Sequence, residues 1–380
     1  MLKQKKVLYV HHGSGLGGAP ISLSFLLDCI DESKIKAELL CIFRGPVLKV
    51  FEDKKAEMII EDKIFPFHGS TVSGMSLKLF LMNICRLPKS IYYAFKTVKR
   101  LKPDIVHLNS SSLFAVALAT KMVNKEIKVI CHIREPLLKN SISGFIIKNM
   151  NYLLVDQFVA IDQFSASSMK VKNNIEVVYN AVDFSRYNIN AKSNSLRVDL
   201  GLNSTDIVFL YLARISKSNG AIELLDIVEK ITAEHANFHF VIAGFREDGA
   251  EKSYVKKVED RMATLKNVHK LRFVSDVPSL IADVDIMLAP FTEPHFARSV
   301  IEASSMGVPS IGSNLGGVNE LIIHGKTGYL YDSMQDFYDY CVELGTNDGL
   351  RLKMGSEAEA FARSQFDHKI NAQRIFDLYM

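Results

Sequence analysis

Two domains, each a parallel β-sheet covered on both faces by helices, are predicted from three observations. Short apolar runs alternate with stretches of helical periodicity along all 380 residues. Short buried strands separated by helices imply parallel sheets with both faces covered. The runs fall into two series with a polar stretch at 183–205 between them. The expected fold class is therefore α/β, with two Rossmann-like domains.

The first series of strands is expected at 6–10, 37–42, 105–108, 128–131, 157–161 and 175–179. The second is expected at 207–213, 238–243, 268–273, 286–290 and 309–312. Helices fill the gaps, as over 221–234 and 249–264. The domains are drawn as 1–185 and 186–366, followed by a last helix at 367–380.

Composition agrees. Hydrophobic residues make up 48% and charged residues 23%, enough for buried cores and near the globular norm. The five cysteines (Cys29, Cys41, Cys85, Cys131, Cys341) are scattered and lack metal-ligand spacing, as expected of reduced core residues in a cytoplasmic protein. The apolar run after Lys5 and Lys6 spans only Val7 to Val10 and ends in His-His-Gly, so it reads as a strand and not as a secretory leader. No run approaches the ~18 apolar residues of a membrane span.

Charge divides the chain. Residues 1–185 carry a net +9 and the remainder −5. Residues 63–103 hold eight basic residues and no acid, and 90–102 form a helical pattern with aromatic and basic faces. That pattern fits a solvated helix packed on a sheet. It also fits an interfacial face drawn to an anionic membrane. No helix-turn-helix, zinc or RNA-binding motif accompanies the charge, so nucleic acid is not an expected partner.

Ligands of open α/β sheets bind beyond the carboxyl ends of strands. After the first strand comes His11-His12-Gly13-Ser14-Gly15-Leu16-Gly17-Gly18, a loop whose backbone can approach a phosphate or simply turn tightly. It lacks the Gly-Lys-Ser/Thr ending of an ATP loop and fits the dinucleotide pattern poorly. His132 ends the strand at 128–131, where a histidine serves either as a structural hydrogen-bonding group or at a site. Arg214, after the strand at 207–213, offers a rigid fork of donors suited to a diphosphate. Gly244, after the strand at 238–243, joins the candidate binding set.

Residues 294–317 read PHFARSVIEASSMGVPSIGSNLGG. A loop with Phe296, Ala297, Arg298 and Ser299 leads into a helix carrying Glu302. A phosphate is welcome at such a helix start, and Glu302 lies about one turn inside, placed to accept from a sugar hydroxyl. The same pattern fits an ordinary αβ unit with a surface glutamate.

This stretch resembles the signature of family 4 retaining glycosyltransferases: Glu-Pro-Phe-Gly, four variable residues, Glu-Ala-Met-Ala, then a Gly-x-Pro-Val strand ending in Gly-Gly. Phe296, Arg298, Glu302, Ala303, Gly307, Pro309, Gly316, Gly317 and Glu320 fall in register. The resemblance implies two domains facing across a cleft (the GT-B type), with the last helix returning to the first domain. It implies a nucleotide-sugar site: Gly17 and Gly18 near the donor phosphate, His132 near the donor sugar, and Glu302 on the ribose hydroxyls. The family's Gly-Arg, four residues, Lys-Gly pattern, whose two basic residues hold the leaving diphosphate, is matched by Arg214 and Gly220, with Asn219 at the lysine position, where it would face the diphosphate, and Lys217 two residues early as a further binding candidate. The family's first glutamate position is Pro294, with Glu293 one residue early.

The implied reaction is glycosyl transfer from a UDP- or GDP-sugar to a glycan or lipid-linked acceptor in cell-surface polysaccharide assembly. The expected catalytic residues are His132, Arg214 and Glu302. Retention is expected by front-face attack, because no residue offers itself as a covalent nucleophile. No cofactor and no metal are expected. Asp283-Val284-Asp285 spells a metal-binding Asp-x-Asp but precedes a buried strand, so both aspartates are read as structural. Two rivals are a degenerate partner subunit, suggested by Pro294 and Asn219, and a sugar-nucleotide epimerase of the same fold.

Overall fold

The computed structural model describes residues 4–69, 75–169, 174–188, 195–245, 251–272, 274 and 276–380. They form two compact units, Met1–Ala181 with His368–Met380, and Val182–Asp367. The boundary falls a few residues before the expected one at 185.

Unit 1 holds a seven-stranded sheet of β1 (Lys5–His11), β2 (Ile35–Cys41), β3 (Glu57–Ile60), β4 (Ile105–Leu108), β5 (Lys128–Ile133), β6 (Gln157–Ala160) and β7 (Ile175–Val177). Their spatial order is β3-β2-β1-β4-β5-β6-β7, and each neighbouring pair is parallel. Strand periodicity sends alternate side chains to opposite faces. Val7 and Tyr9 join Leu23, Leu26, Ile375 and Phe376 on one face. Leu8 and Val10 join Ala94, Val98, Val116 and Ala117 on the other.

The helix His368–Asp377 belongs to unit 1. Lys5 Nζ reaches the Tyr379 carbonyl at 2.5 Å and Lys128 Nζ the Leu378 carbonyl at 2.6 Å. These ammonium groups sit just beyond the helix C-terminus, where positive charge is favoured. Arg374 pairs with Glu176 at 3.0 Å.

Unit 2 holds a six-stranded sheet of β8 (Ile207–Leu212), β9 (Phe238–Ala243), β10 (Val268–Leu271), β11 (Ile286–Ala289), β12 (Ser310–Ser313) and β13 (Gly328–Tyr331). The order is β10-β9-β8-β11-β12-β13, again parallel between neighbours. Its core is aromatic. Phe209 stacks on Phe240 at 4.6 Å, within a cluster completed by the helices Ala221–Glu234 and Met334–Thr346.

The sequence reading misses β3 and β13, and both are edge strands. Glu57-Met-Ile-Ile is short and flanked by charge, and β13 opens on a glycine. The strand expected at 268–273 ends at Leu271, and Phe273 lies outside the described residues. The helix expected at 249–264 is Lys252–Met262, with 246–250 outside them. The helix at 90–102 is the second half of Leu77–Leu101, which runs through Pro88. Of the cysteines, Cys85 is exposed on that helix and not in the core.

Candidate functional site

Each unit has a point where the strand order reverses. In unit 2 the chain runs outward from β8 to β10 and returns to β11 beside β8. Loops leaving the carboxyl ends of two such strands part, and ligands bind in the crevice between them. The loops after β8 and β11 hold most of the unit 2 residues singled out above.

The loop after β8 is held from inside. Asn219 is 5% exposed, and its Nδ2 donates to the Arg214 carbonyl at 2.7 Å. This corrects the expectation that Asn219 faces a diphosphate, because its side chain is turned into its own loop. Gly220 has φ 72°, and a Cβ there would lie 1.7 Å from the Pro290 carbonyl oxygen. Thr292 donates from its backbone to Ser218 O at 3.0 Å and from its hydroxyl to Lys217 O at 2.9 Å. The loops after β8 and β11 are thus laced together. Arg214 and Lys217 are exposed at this mouth. Gly244 serves packing, since a Cβ would meet the Ala213 carbonyl oxygen at 2.0 Å.

The loop after β11 is pressed against the loop after β12. His295 N–H donates to Gly316 O at 3.0 Å, and a Cβ on Gly317 (φ 90°) would lie 2.4 Å from the His295 carbonyl oxygen. Glu293, Pro294 and His295 are exposed. The His295 ring lies on Phe291 at 4.9 Å. Loss of solvent around the ring, and then the charge of Arg214, lower its pKa to about 4. Phe296, Ala297 and Ser299 are buried. Ala297 begins the helix Arg298–Ser305 with no side-chain cap. Contacts from Ala297 and Ser299 to a ligand therefore fall to backbone N–H groups.

Glu302 is mostly covered. Its Oε1 lies 3.5 Å from Arg298 Nε, one helical turn earlier, with side-chain exposures of 12% and 16%. Burial pushes its carboxyl pKa above the ordinary range. Arg298, a hydrogen bond from Tyr187 and the charge of Arg186 pull it back down. Arg298 is thus the ionic partner of Glu302, and Tyr187 a hydrogen-bonding cover that the sequence did not disclose.

In unit 1 the reversal lies between β1 and β4. Gly17 stands in the exposed loop after β1 with open space about its Cα, and Gly18 starts the helix Gly18–Asp28. Beneath lies a polar network that the sequence reading also missed. Asn109 Nδ2 meets His11 Nδ1 at 3.0 Å, and Arg134 Nε donates to Asn109 Oδ1 at 2.9 Å. Arg134 Nη1 and Ser22 Oγ both donate to Asn180 Oδ1, at 2.9 and 2.8 Å. These side chains follow β4, β5 and β7, so the strand-end rule could have marked them. His132 is 2% exposed and borders a small recess with Ser22, Arg134 and Asn180. Among the described residues neither of its ring nitrogens has a hydrogen-bond partner. Burial, then Arg134 and His107, hold its pKa well below the ordinary value, so it is a neutral imidazole. His107 bonds Tyr379 Oη through Nδ1 at 2.6 Å and is structural.

Asp283 and Asp285 bind protein. Asp283 Oδ2 accepts from Leu196 N–H at 3.0 Å. Asp285 Oδ2 accepts from Val208 N–H at 2.8 Å and pairs with Arg197 at 2.6 Å. Among the described residues no three His, Cys, Asp or Glu side chains are grouped to hold a metal.

Comparison with known proteins gives the following. Residues 192–361 match the family model of glycosyl transferases group 1, and residues 65–186 that of glycosyltransferase family 4. The N-acetyl-alpha-D-glucosaminyl L-malate synthase of Bacillus anthracis is 24% identical over 324 residues, covering 80% of this chain and 82% of that protein. An N,N'-diacetylbacillosaminyl-diphospho-undecaprenol alpha-1,3-N-acetylgalactosaminyltransferase of Campylobacter jejuni is 24% identical over 371 residues, covering 89% of this chain and 94% of that one. The fold is similar to that of HepE from Anabaena in complex with UDP-glucose, with TM-score 0.81, 20% identity and 99% of both chains covered.

Proposed function

This chain belongs to the family 4 glycosyltransferases, and on that premise we propose that it moves a sugar, with retention of configuration, from a UDP- or GDP-sugar to a glycan or lipid-linked acceptor. The setting proposed is cytoplasmic, in cell-surface polysaccharide assembly. The observation that carries this reading is the unit 2 mouth, where a mostly covered Glu302, an uncapped helix start and the exposed Arg214 gather at the strand-order reversal. The Campylobacter relative, named for a diphospho-undecaprenol-linked substrate, supports a lipid-linked acceptor. HepE, which binds UDP-glucose, supports a uridine donor as the first to test.

Each group has a role that its chemistry suits. Glu302, its charge favoured by Arg298, accepts hydrogen bonds from the ribose diol. Arg214, Lys217 and the amides at Ala297–Ser299 meet the charge that develops on the departing diphosphate, which is often the largest catalytic term. In unit 1, neutral His132 is suited to hydrogen bonding with a sugar hydroxyl, and the Gly17–Gly18 turn to close backbone approach. The acceptor hydroxyl attacks on the face from which the diphosphate leaves, its proton passing to a diphosphate oxygen. No metal or cofactor enters this scheme.

A second reading, a sugar-binding partner subunit without transfer, draws on one observation. The position of the family's phosphate-binding lysine is held by Asn219, turned inward. One experiment separates the readings. Purified protein is incubated with a panel of UDP- and GDP-sugars, and free nucleoside diphosphate is measured with and without acceptor. Acceptor-stimulated release supports transfer. Binding without release supports the partner subunit, and conversion of the donor alone to its epimer supports an epimerase.

A further inference from the structure

Helices Leu77–Leu101 and Ile142–Leu154 lie on one face of the unit 1 sheet, and the helix Phe114–Val123 packs against both. Phe80 and Leu87 of the first and Ile146 and Met150 of the second pack on one cluster with Phe67 and Phe114. The Ser143 hydroxyl donates to Met75 Sδ at 3.6 Å. Their outward sides are apolar. Leu77, Leu81, Ile84 and Tyr92 are exposed on the first helix, and Ile142, Phe145, Tyr152 and Leu153 on the second. At 3.6 residues per turn each set spans an arc of roughly 100° or less, along one side of its helix. These eight are more than half of the exposed large apolar side chains among the described residues, so they form a patch and not a scatter.

Charge tells what the patch suits. Neither helix contains an acid, and Lys78, Arg86, Lys89, Lys96, Lys99 and Arg100 flank the apolar strip. Lys96 and Lys99 lie over the Tyr92 and Phe95 rings at 4.8 and 5.8 Å, and Arg86 over Phe65 at 4.7 Å. The charged groups themselves lie on these rings, so cation and aromatic surface stand side by side on the helix. A surface that is at once apolar, basic and free of carboxylate matches the boundary of an anionic bilayer. There, rings and aliphatic groups sink to headgroup depth while cations meet phosphates. No helix among the described residues is long and apolar enough to cross a membrane.

We propose that these two helices together form a face that docks on an anionic phospholipid bilayer. The basic stretch 63–103 marked one half of this face in the sequence. The structure adds Ile142–Leu154, whose four exposed apolar residues supply as much of the strip. Docking does not depend on sugar transfer, so the test reads the two separately.

The full chain is sedimented with vesicles of phosphatidylcholine alone or mixed with phosphatidylglycerol, at low and high salt. Binding is expected only to the anionic vesicles, and high salt should lower it. Two variants probe the two features: Leu81→Ser/Phe145→Ser/Leu153→Ser, and Lys89→Gln/Lys96→Gln/Arg100→Gln. Each should reduce the affinity for anionic vesicles by roughly tenfold or more, with melting temperature and nucleotide binding unchanged. Equal binding to neutral and anionic vesicles overturns the proposal, as does undiminished binding by the charge variant, which leaves the apolar packing intact. Self-association abolished by the apolar variant, without vesicle binding, assigns the face to a second copy and overturns it too.

Discussion

Asn219 Nδ2 donates to the Arg214 carbonyl at 2.7 Å, which closes the loop after β8 on itself. The bond lets Arg214 and Lys217 point outward while the loop rests on Pro290 and Thr292. A lysine at 219 would bury an ammonium and leave the Arg214 carbonyl without its partner. Asn219→Lys should therefore cost roughly 2 kcal/mol of stability and give no gain in donor affinity. Lys217→Ala should keep stability and weaken donor binding. Equilibrium denaturation and calorimetry with the donor check both. Tighter donor binding by the Asn219→Lys protein would place that side chain at the diphosphate after all.

Asp285 offers a second test. Its carboxylate holds Arg197 and the start of β8, so Asp285→Ala leaves a mostly buried guanidinium with backbone carbonyls but no ionic partner. We expect a loss of about 2–3 kcal/mol, somewhat below the range for fully buried pairs. Wild-type turnover should persist in EDTA. Loss of activity in EDTA with rescue by manganese, in a protein whose stability ignores Asp285→Ala, would make the pair a metal site.

The histidines of unit 1 predict a pH dependence. His107 is held at about 3 by burial and then by Arg134, and His11 at about 3 by burial, then His12 and Arg134. In the unfolded chain each titrates near ~6.5. Below that pH the unfolded state takes up protons that the folded state refuses. The stabilisation is thus complete above ~6.5 and is lost as pH falls toward ~3, at roughly 1.4 kcal/mol per pH unit for each histidine. His107→Gln should flatten the fall in urea midpoint between about pH 6 and pH 4 by close to one proton. An unchanged slope would mean that His107 protonates freely in the folded protein.

The sequence disclosed the architecture because buried parallel strands are apolar along their length, and Ile105–Leu108 and Phe238–Ala243 are found as expected. Glu57–Ile60 opens on an acid and runs on into Glu61-Asp62, and Gly328–Tyr331 opens on a glycine, so neither stands out as an apolar run. At the unit 2 mouth, motif register located Arg214, Glu302 and the 294–299 loop. It could not show that Asn219 turns inward or that Arg298 and Tyr187 cover Glu302, because those are matters of side-chain direction and distant contact. For the Asn109–Arg134–Asn180 network the strand-end rule could have marked the positions but not the bonds between them. Each member is an ordinary loop residue until the sheet brings three strand ends together.

The most direct test of the account is donor affinity in Glu302→Gln, which keeps the size of the side chain and removes its charge. Wild type and variant are compared by calorimetry with the nucleotide sugar that stabilises the wild type most, after equal melting temperatures establish that both are folded. Charged hydrogen bonds of roughly 1.5–3 kcal/mol each predict a loss of about tenfold or more. Equal dissociation constants for the two folded proteins would contradict the assignment of Glu302 to the donor, and with it the nucleotide-sugar site of unit 2.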